Sequence, residues 1–178
     1  MRILALDQSS RVSGYAIFED NNLIDFGTFS ITMQDLSKRL VKIREKVLDL
    51  VNEYKIDKIY FEDIQLQKTV INNVSTFKAL SEVFGVISET CSEFKIPAEP
   101  VHSTSWKAKI KIPTNARRPV QKKMAQEYAL EVYKVKASED ASDAICIGTY
   151  ALSLNGFDIK TIQYKTDTKI ESGFDWSD

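Results

Sequence analysis

Asp7, Glu62, Asp140 and Asp143 are the residues of this 178-residue chain whose types and spacing best suit chemistry. Asp7 closes the apolar run Ile3-Leu4-Ala5-Leu6 and opens a polar turn, and Glu62 closes Ile59-Tyr60-Phe61. Asp140 and Asp143 stand three positions apart, which puts both on one face of a helix. Two carboxylates about 5 Å apart repel by roughly 3 kcal/mol at an effective dielectric near ~20. A proton or a cation must relieve such a cluster. Mg²⁺ is the natural cation, being hard and bound through carboxylates, waters and phosphate oxygens. Mn²⁺ is its expected substitute. Two such ions held roughly 3.5–4 Å apart can hydrolyse a phosphodiester without a histidine or serine nucleophile.

Each acid alone has an ordinary structural explanation. Asp140 follows Ser138, in a first helical turn where the dipole favours an acid. Asp7 can bond turn amides, and Glu62 can be a surface acid at a strand end. Asp143 precedes Ala144, Ile145 and Ile147 in an otherwise apolar helix, where a merely solvated acid is out of place. The chemical reading rests on the set of four.

These acids need elements to bring them together. Residues 2–7, 15–19 and 23–30 read as three strands of an antiparallel meander, with Asn21-Asn22 as the hairpin turn. Leu36, Leu40, Ile43, Val47, Leu48 and Val51 recur at helical spacing over residues 34–54. A strand over 56–62 and a helix over 73–90 follow, the latter with a wide apolar stripe. Residues 96–101 suggest an edge strand, because Pro97 and Pro100 remove ladder donors. A helical turn over 103–109, capped by Ser103 or Thr104, leads through a loop at 110–117 to a helix over 119–134. Ser138 caps a last helix that Asn155-Gly156 ends. The order βββ-α-β-α-β-α-α predicts an α/β fold of the ribonuclease H-like kind, a mixed five-stranded sheet with helices on both faces. In it the first and fourth strands are neighbours, so Asp7 and Glu62 stand side by side. Residues 1–154 are expected to form the nuclease domain and 155–178 a C-terminal extension or tail.

Composition narrows the alternatives. Two cysteines, Cys91 and Cys146, lie outside any CxxC or Cys/His cluster, and His102 is the single histidine, so a zinc site is not expected. No apolar run is long enough to cross a bilayer and no signal-peptide core precedes Asp7, which points to a cytoplasmic protein. The net charge of −1 says little, but its distribution says more. Between Pro100 and Gln126 there is no acid, whereas Lys107, Lys109, Lys111, Arg117, Arg118, Lys122 and Lys123 are all basic. That stretch suits DNA phosphate contact, or else a solvated helix face.

The segments ILALDQSSRVSGYAIFE, IYFED and DASDAICIG, with HSTSWK and RRPVQKKM between them, resemble the RuvC family of Holliday-junction resolvases, in particular its shorter phage-type members. The resemblance spans about residues 1–154. It implies metal binding by Asp7, Glu62, Asp140 and Asp143, and catalytic-loop basic residues at Lys107 and Arg118. The second of these is commonly lysine in bacterial members, and arginine does not readily give up a proton. The sequence after Glu62 (Asp63-Ile64-Gln65) lacks the aromatic that bacterial members often carry there. The resemblance further implies branched DNA as substrate, cut to leave 5′-phosphates, and a homodimer, since a four-way junction offers two equivalent strands to a twofold pair of sites. The apolar stripe of helix 73–90 is the candidate interface, or else core.

Three other readings remain open at this point. A nuclease for RNA–DNA hybrids shares the metal chemistry. A non-catalytic DNA-binding protein shares the fold, although all four acids are present. A phosphotransferase of the actin and sugar-kinase type begins like ALDQSS, but it needs two such domains and a glycine-rich second phosphate loop.

Overall fold

The computed structural model describes residues 1–64 and 74–164. Its sheet runs β3-β2-β1-β4-β5, formed by β1 (Arg2–Asp7), β2 (Val12–Glu19), β3 (Asn22–Ser30), β4 (Lys58–Glu62) and β5 (Ala98–Val101). β1 to β3 are antiparallel neighbours, while β4 pairs parallel to both β1 and β5. This is the expected mixed sheet, and the proline-containing β5 lies at its edge.

Side chains alternate across the strands and separate two cores. Ile3, Ala5, Ala16, Phe18 and Tyr60 pack beneath α3 (Ser103–Lys109), α4 (Arg118–Tyr133) and α5 (Glu139–Leu154). Leu4, Leu6, Ile17, Ile59 and Phe61 pack beneath α1 (Leu36–Tyr54) and α2 (Val74–Glu93). The C-terminal half of the stripe on α2 is absorbed here: Val83, Ile87 and Cys91 are buried, and the Phe84 ring meets Phe61 at 5.1 Å between centroids. Cys91 and Cys146 are buried free thiols, as the sequence suggests.

Several boundaries differ from the sequence expectation. The β2–β3 turn falls on Asp20-Asn21 instead of Asn21-Asn22, because Glu19 pairs with Asn22 and Asp20 takes the left-handed conformation (φ 51°). Aspartate tolerates that region better than most residues. β2 starts at Val12, three residues earlier than expected, since Val12 and Ser13 pair with Ser30 and Phe29 despite their polar setting. α3 is capped by neither Ser103 nor Thr104. His102 occupies the N-cap position in extended conformation without a side-chain cap bond, and its carbonyl accepts from Ser105 and Trp106. Ser138 does cap α5, accepting from the Ala141 amide.

The chain beyond α5 docks on the core as far as it is described. Phe157, Ile159, Ile162 and Tyr164 pack partly buried against the α4–α5 side. Tyr128 donates to the Lys160 carbonyl, and Tyr164 donates to that of Ile110. No helix among the described residues is long and apolar enough to cross a membrane.

Candidate active site

Strand alternation places the first two acids. Asp7 continues the Ile3-Ala5 side of β1 and Glu62 continues the Tyr60 side of β4, so both point toward α5. Leu6 pairs with Phe61 in the parallel ladder, which puts Asp7 and Glu62 on the next rung. Gln8 locks that rung, accepting from the Glu62 amide at 3.0 Å and donating to the Glu62 carbonyl at 2.5 Å. A buried side chain thus extends the ladder one step past the strand end.

The other two acids arrive on α5, and a glycine lets them approach. Asp7 pairs with Gly14 on β2. A Cβ built on Gly14 would lie 2.0 Å from the Asp140 carbonyl oxygen, so only glycine lets the start of α5 close over this part of the sheet. Asp140 and Asp143 then face the same cleft as Asp7 and Glu62, together with Gln8, Lys107, Arg118 and Lys122. All four predicted acids therefore line one cleft. Of the predicted basic residues, Lys107, Arg118 and Lys122 line this cleft, while Lys109, Lys111, Arg117 and Lys123 are exposed outside its lining.

Lys122 holds a different place from the one its sequence neighbours suggest. Its ammonium lies 2.5 Å from Asp143 Oδ2, 3.4 Å from Asp140 Oδ1 and 3.8 Å from Asp7 Oδ2, and its side chain is only 12% exposed. The reason is helical phase. Lys122 is in step with Ala125 and Ala129, both buried, so its stem runs along the core-facing side of α4. A lysine at that phase is the available signal, although its neighbour Lys123 is exposed.

Two further residues escaped the sequence reading. Trp106, buried in α3, donates its indole N–H to Glu62 Oε1 at 3.3 Å and so helps aim that carboxylate. Asp63 pairs with His102 Nδ1 at 2.9 Å beside the cleft. Trp106 directly precedes Lys107, but only the packing of α3 beneath β4 shows where its ring edge points.

Electrostatics reflects this crowding. Burial raises the Asp7 carboxyl well above its ordinary range, and the nearby Asp143 and Glu62 raise it further against the opposing pull of Lys122. Burial likewise raises Glu62, with Lys107 opposing, and Asp143, with Lys122 opposing. For Lys122 burial acts downward, but Asp143, Asp7 and Asp140 outweigh it and the ammonium is held more firmly than usual. Among the described residues no three acidic, histidine or cysteine side chains are drawn together as a ready-made metal cage. Asp7, Asp140 and Asp143 gather instead around the Lys122 ammonium, while Glu62 accepts from Trp106. The donor set, all carboxylate oxygen, fits a hard divalent ion.

A mixed five-stranded sheet with acids at the ends of β1 and β4 and on the last helix defines a nuclease of the ribonuclease H-like fold. The family model described as crossover junction endodeoxyribonuclease RuvC matches residues 3–150. The chain belongs to that family and is an endonuclease of its class. Relatives named crossover junction endodeoxyribonuclease RuvC include one from Ehrlichia chaffeensis, 29% identical over 151 residues (83% of this chain, 93% of the relative). Another, from Petrotoga mobilis, is 29% identical over 163 residues (86% and 96%). In fold the chain is similar to Thermus thermophilus RuvC in complex with a Holliday junction substrate, with TM-score 0.70, 12% identity, and 87% and 96% of the two chains covered. It is also similar to the Fowlpox virus resolvase bound to Holliday junction DNA, with TM-score 0.59, 15% identity, and 88% and 100% covered.

Proposed function

We propose that this protein cuts Holliday junctions and related branched DNA by metal-assisted phosphodiester hydrolysis, leaving 5′-phosphates. The observation that carries the proposal is the convergence of Asp7, Glu62, Asp140 and Asp143 in one cleft with Lys107 and Arg118. Asp7, Glu62 and Asp143 are the principal metal holders, and Asp140, whose side chain is 38% exposed, is the outermost. Mg²⁺, or Mn²⁺ in its place, would activate the attacking water and stabilise the leaving oxygen, two ions being the arrangement that serves both ends of the displacement.

The protein's own groups do the rest. Gln8 and Trp106 fix the backbone and carboxylate of Glu62. Lys107 and Arg118 sit at the cleft wall, where they can hold the scissile phosphate and its neighbour. Arg118 serves as a phosphate clamp, since a guanidinium keeps its proton. The exposed Lys109, Lys111, Arg117 and Lys123 extend the basic surface along the DNA backbone. Selectivity arises from the open, bent shape of the branch point more than from base edges.

A homodimer completes the reading, because two equivalent strands need two equivalent sites. The α2 face left for it is narrow: Val74 is exposed, and Phe77 and Leu80 turn toward the cleft. The protein works in the cytoplasm, where the DNA of a bacterium or infecting phage is found.

The test is a side-by-side digestion of a four-way junction, a replication fork, an RNA–DNA hybrid and linear duplex in Mg²⁺. Preferred cutting of the junction and fork supports the proposal. Rapid cutting of the hybrid beside an intact junction contradicts it and favours a hybrid nuclease.

A further inference from the structure

One cation is already built into the carboxylate cluster. The Lys122 ammonium lies within 3.8 Å of oxygens from Asp143, Asp140 and Asp7, three acids from two different elements, β1 and α5. It stands on a third, α4, with a stem that runs along the buried side of the helix. An exposed lysine pairing with one acid is a common surface event of little consequence. A largely buried lysine that closes three elements around one nitrogen is a different arrangement.

We propose that Lys122 is an internal counter-cation that holds the carboxylates together in the metal-free enzyme and competes with divalent metal for them. This rests on the metal-site reading above. Lys122 contacts one oxygen of each of the three acids, and one carboxylate oxygen cannot bind an ammonium at 2.5 Å and a Mg²⁺ at about 2.1 Å along the same direction. A metal that takes these oxygens therefore displaces the ammonium. Four methylene groups give it the reach to do so without moving α4, and the cleft it would swing into is lined by Lys107 and Arg118. There the released charge meets the DNA backbone. Metal loading and phosphate binding are coupled through this one side chain: metal frees the ammonium for phosphate, and phosphate holds the ammonium away from the metal oxygens.

The inference is tested by Mn²⁺ binding to the full-length protein, measured by calorimetry or electron paramagnetic resonance without DNA. In Lys122→Met the Mn²⁺ Kd is expected to fall about tenfold, the equivalent of one modest competing interaction. Lys134→Met, which removes an exposed charge at the far end of α4 and outside the cleft, is expected to leave Kd unchanged. In EDTA, Lys122→Met melts at a lower temperature than wild type, and Mn²⁺ raises its melting temperature by more. A Kd that is unchanged or higher in Lys122→Met overturns the inference. If that variant does not fold, side-chain ¹⁵Nζ NMR of the wild-type protein decides: the Lys122 signal must shift on Mg²⁺ addition while that of Lys134 stays. A stationary Lys122 signal in metal-saturated protein overturns it. Absence of Mn²⁺ binding in wild type and Lys122→Met alike overturns the metal-site reading itself.

Discussion

At the scale of single residues, the chemistry turns on how the carboxylates are held. Asp7→Asn keeps the size of the side chain but removes a charge from the centre of the cluster. Cleavage should fall by more than about 100-fold, the upper end of what outer-shell partners of a metal cost. Trp106→Phe removes the indole donor to Glu62, together with part of a buried ring that the Lys107 ammonium sits over at 5.0 Å, and a fall in kcat of at least about tenfold is expected, the value of one hydrogen bond to a charged group. The pH behaviour follows from the raised carboxyls of Asp7, Glu62 and Asp143, which face one another, Asp140, Lys122 and Lys107. A carboxyl whose pKa is higher folded than unfolded binds more protons in the folded state. Its stabilising effect is greatest in acid and is lost as pH rises from the ordinary carboxylate range through the raised one. Lys122, whose pKa is also raised, has the same sign, but its contribution is lost only at alkaline pH. Thermal melts in EDTA should therefore show stability falling as pH rises from the ordinary carboxylate range upward, and saturating Mg²⁺ should flatten that dependence. A metal-free profile that rises with pH there contradicts the site electrostatics. Asp7, Glu62, Asp140 and Asp143 were legible as candidates because together they end two strands and share one face of the last helix, and because Asp143 stands in an otherwise apolar helix. Lys122, Gln8 and Trp106 were not, because their meaning depends on which element they face across space.

At the scale of elements, the site depends on the approach of α5 to β2. Gly14→Ala inserts a methyl where the Asp140 carbonyl lies. Overpacking against backbone should cost about 1–3 kcal/mol and displace Asp140 and Asp143 together, so urea midpoint and cleavage rate should fall in parallel. On the opposite face, Ile87→Ala should cost about 2–5 kcal/mol yet leave the rate per folded molecule unchanged, since the α1–α2 core does not touch the acids. Periodicity and strand alternation told which elements exist and which face each buries. The late start assigned to β2 has one cause, residues 8–14 being polar in composition although Val12 and Ser13 are paired through the backbone, and the misplaced hairpin turn has another, Asp20 taking the left-handed conformation; composition registers neither.

For the whole molecule, the extension and the charged surface matter most. Truncation after Asn155 removes the partly buried Phe157, Ile159, Ile162 and Tyr164 and the Tyr164 bond to Ile110. A loss of about 2–4 kcal/mol is expected relative to truncation after Tyr164. The sequence alone left this segment as either docked or loose, because four apolar residues spaced along a polar stretch have no period to read. Neutralising Lys107 or Arg118 should each reduce the slope of log affinity against log salt by about one, as for the loss of one phosphate contact. The central claim, metal-assisted cutting of branched DNA by the carboxylate cluster, is tested most directly by incubating the purified protein with a synthetic four-way junction in Mg²⁺, in EDTA, and as Asp7→Asn. Paired nicks with 5′-phosphate ends are expected in Mg²⁺ alone, and none with EDTA or the variant. Equal cutting by Asp7→Asn, or an intact junction in both Mg²⁺ and Mn²⁺, would contradict that claim.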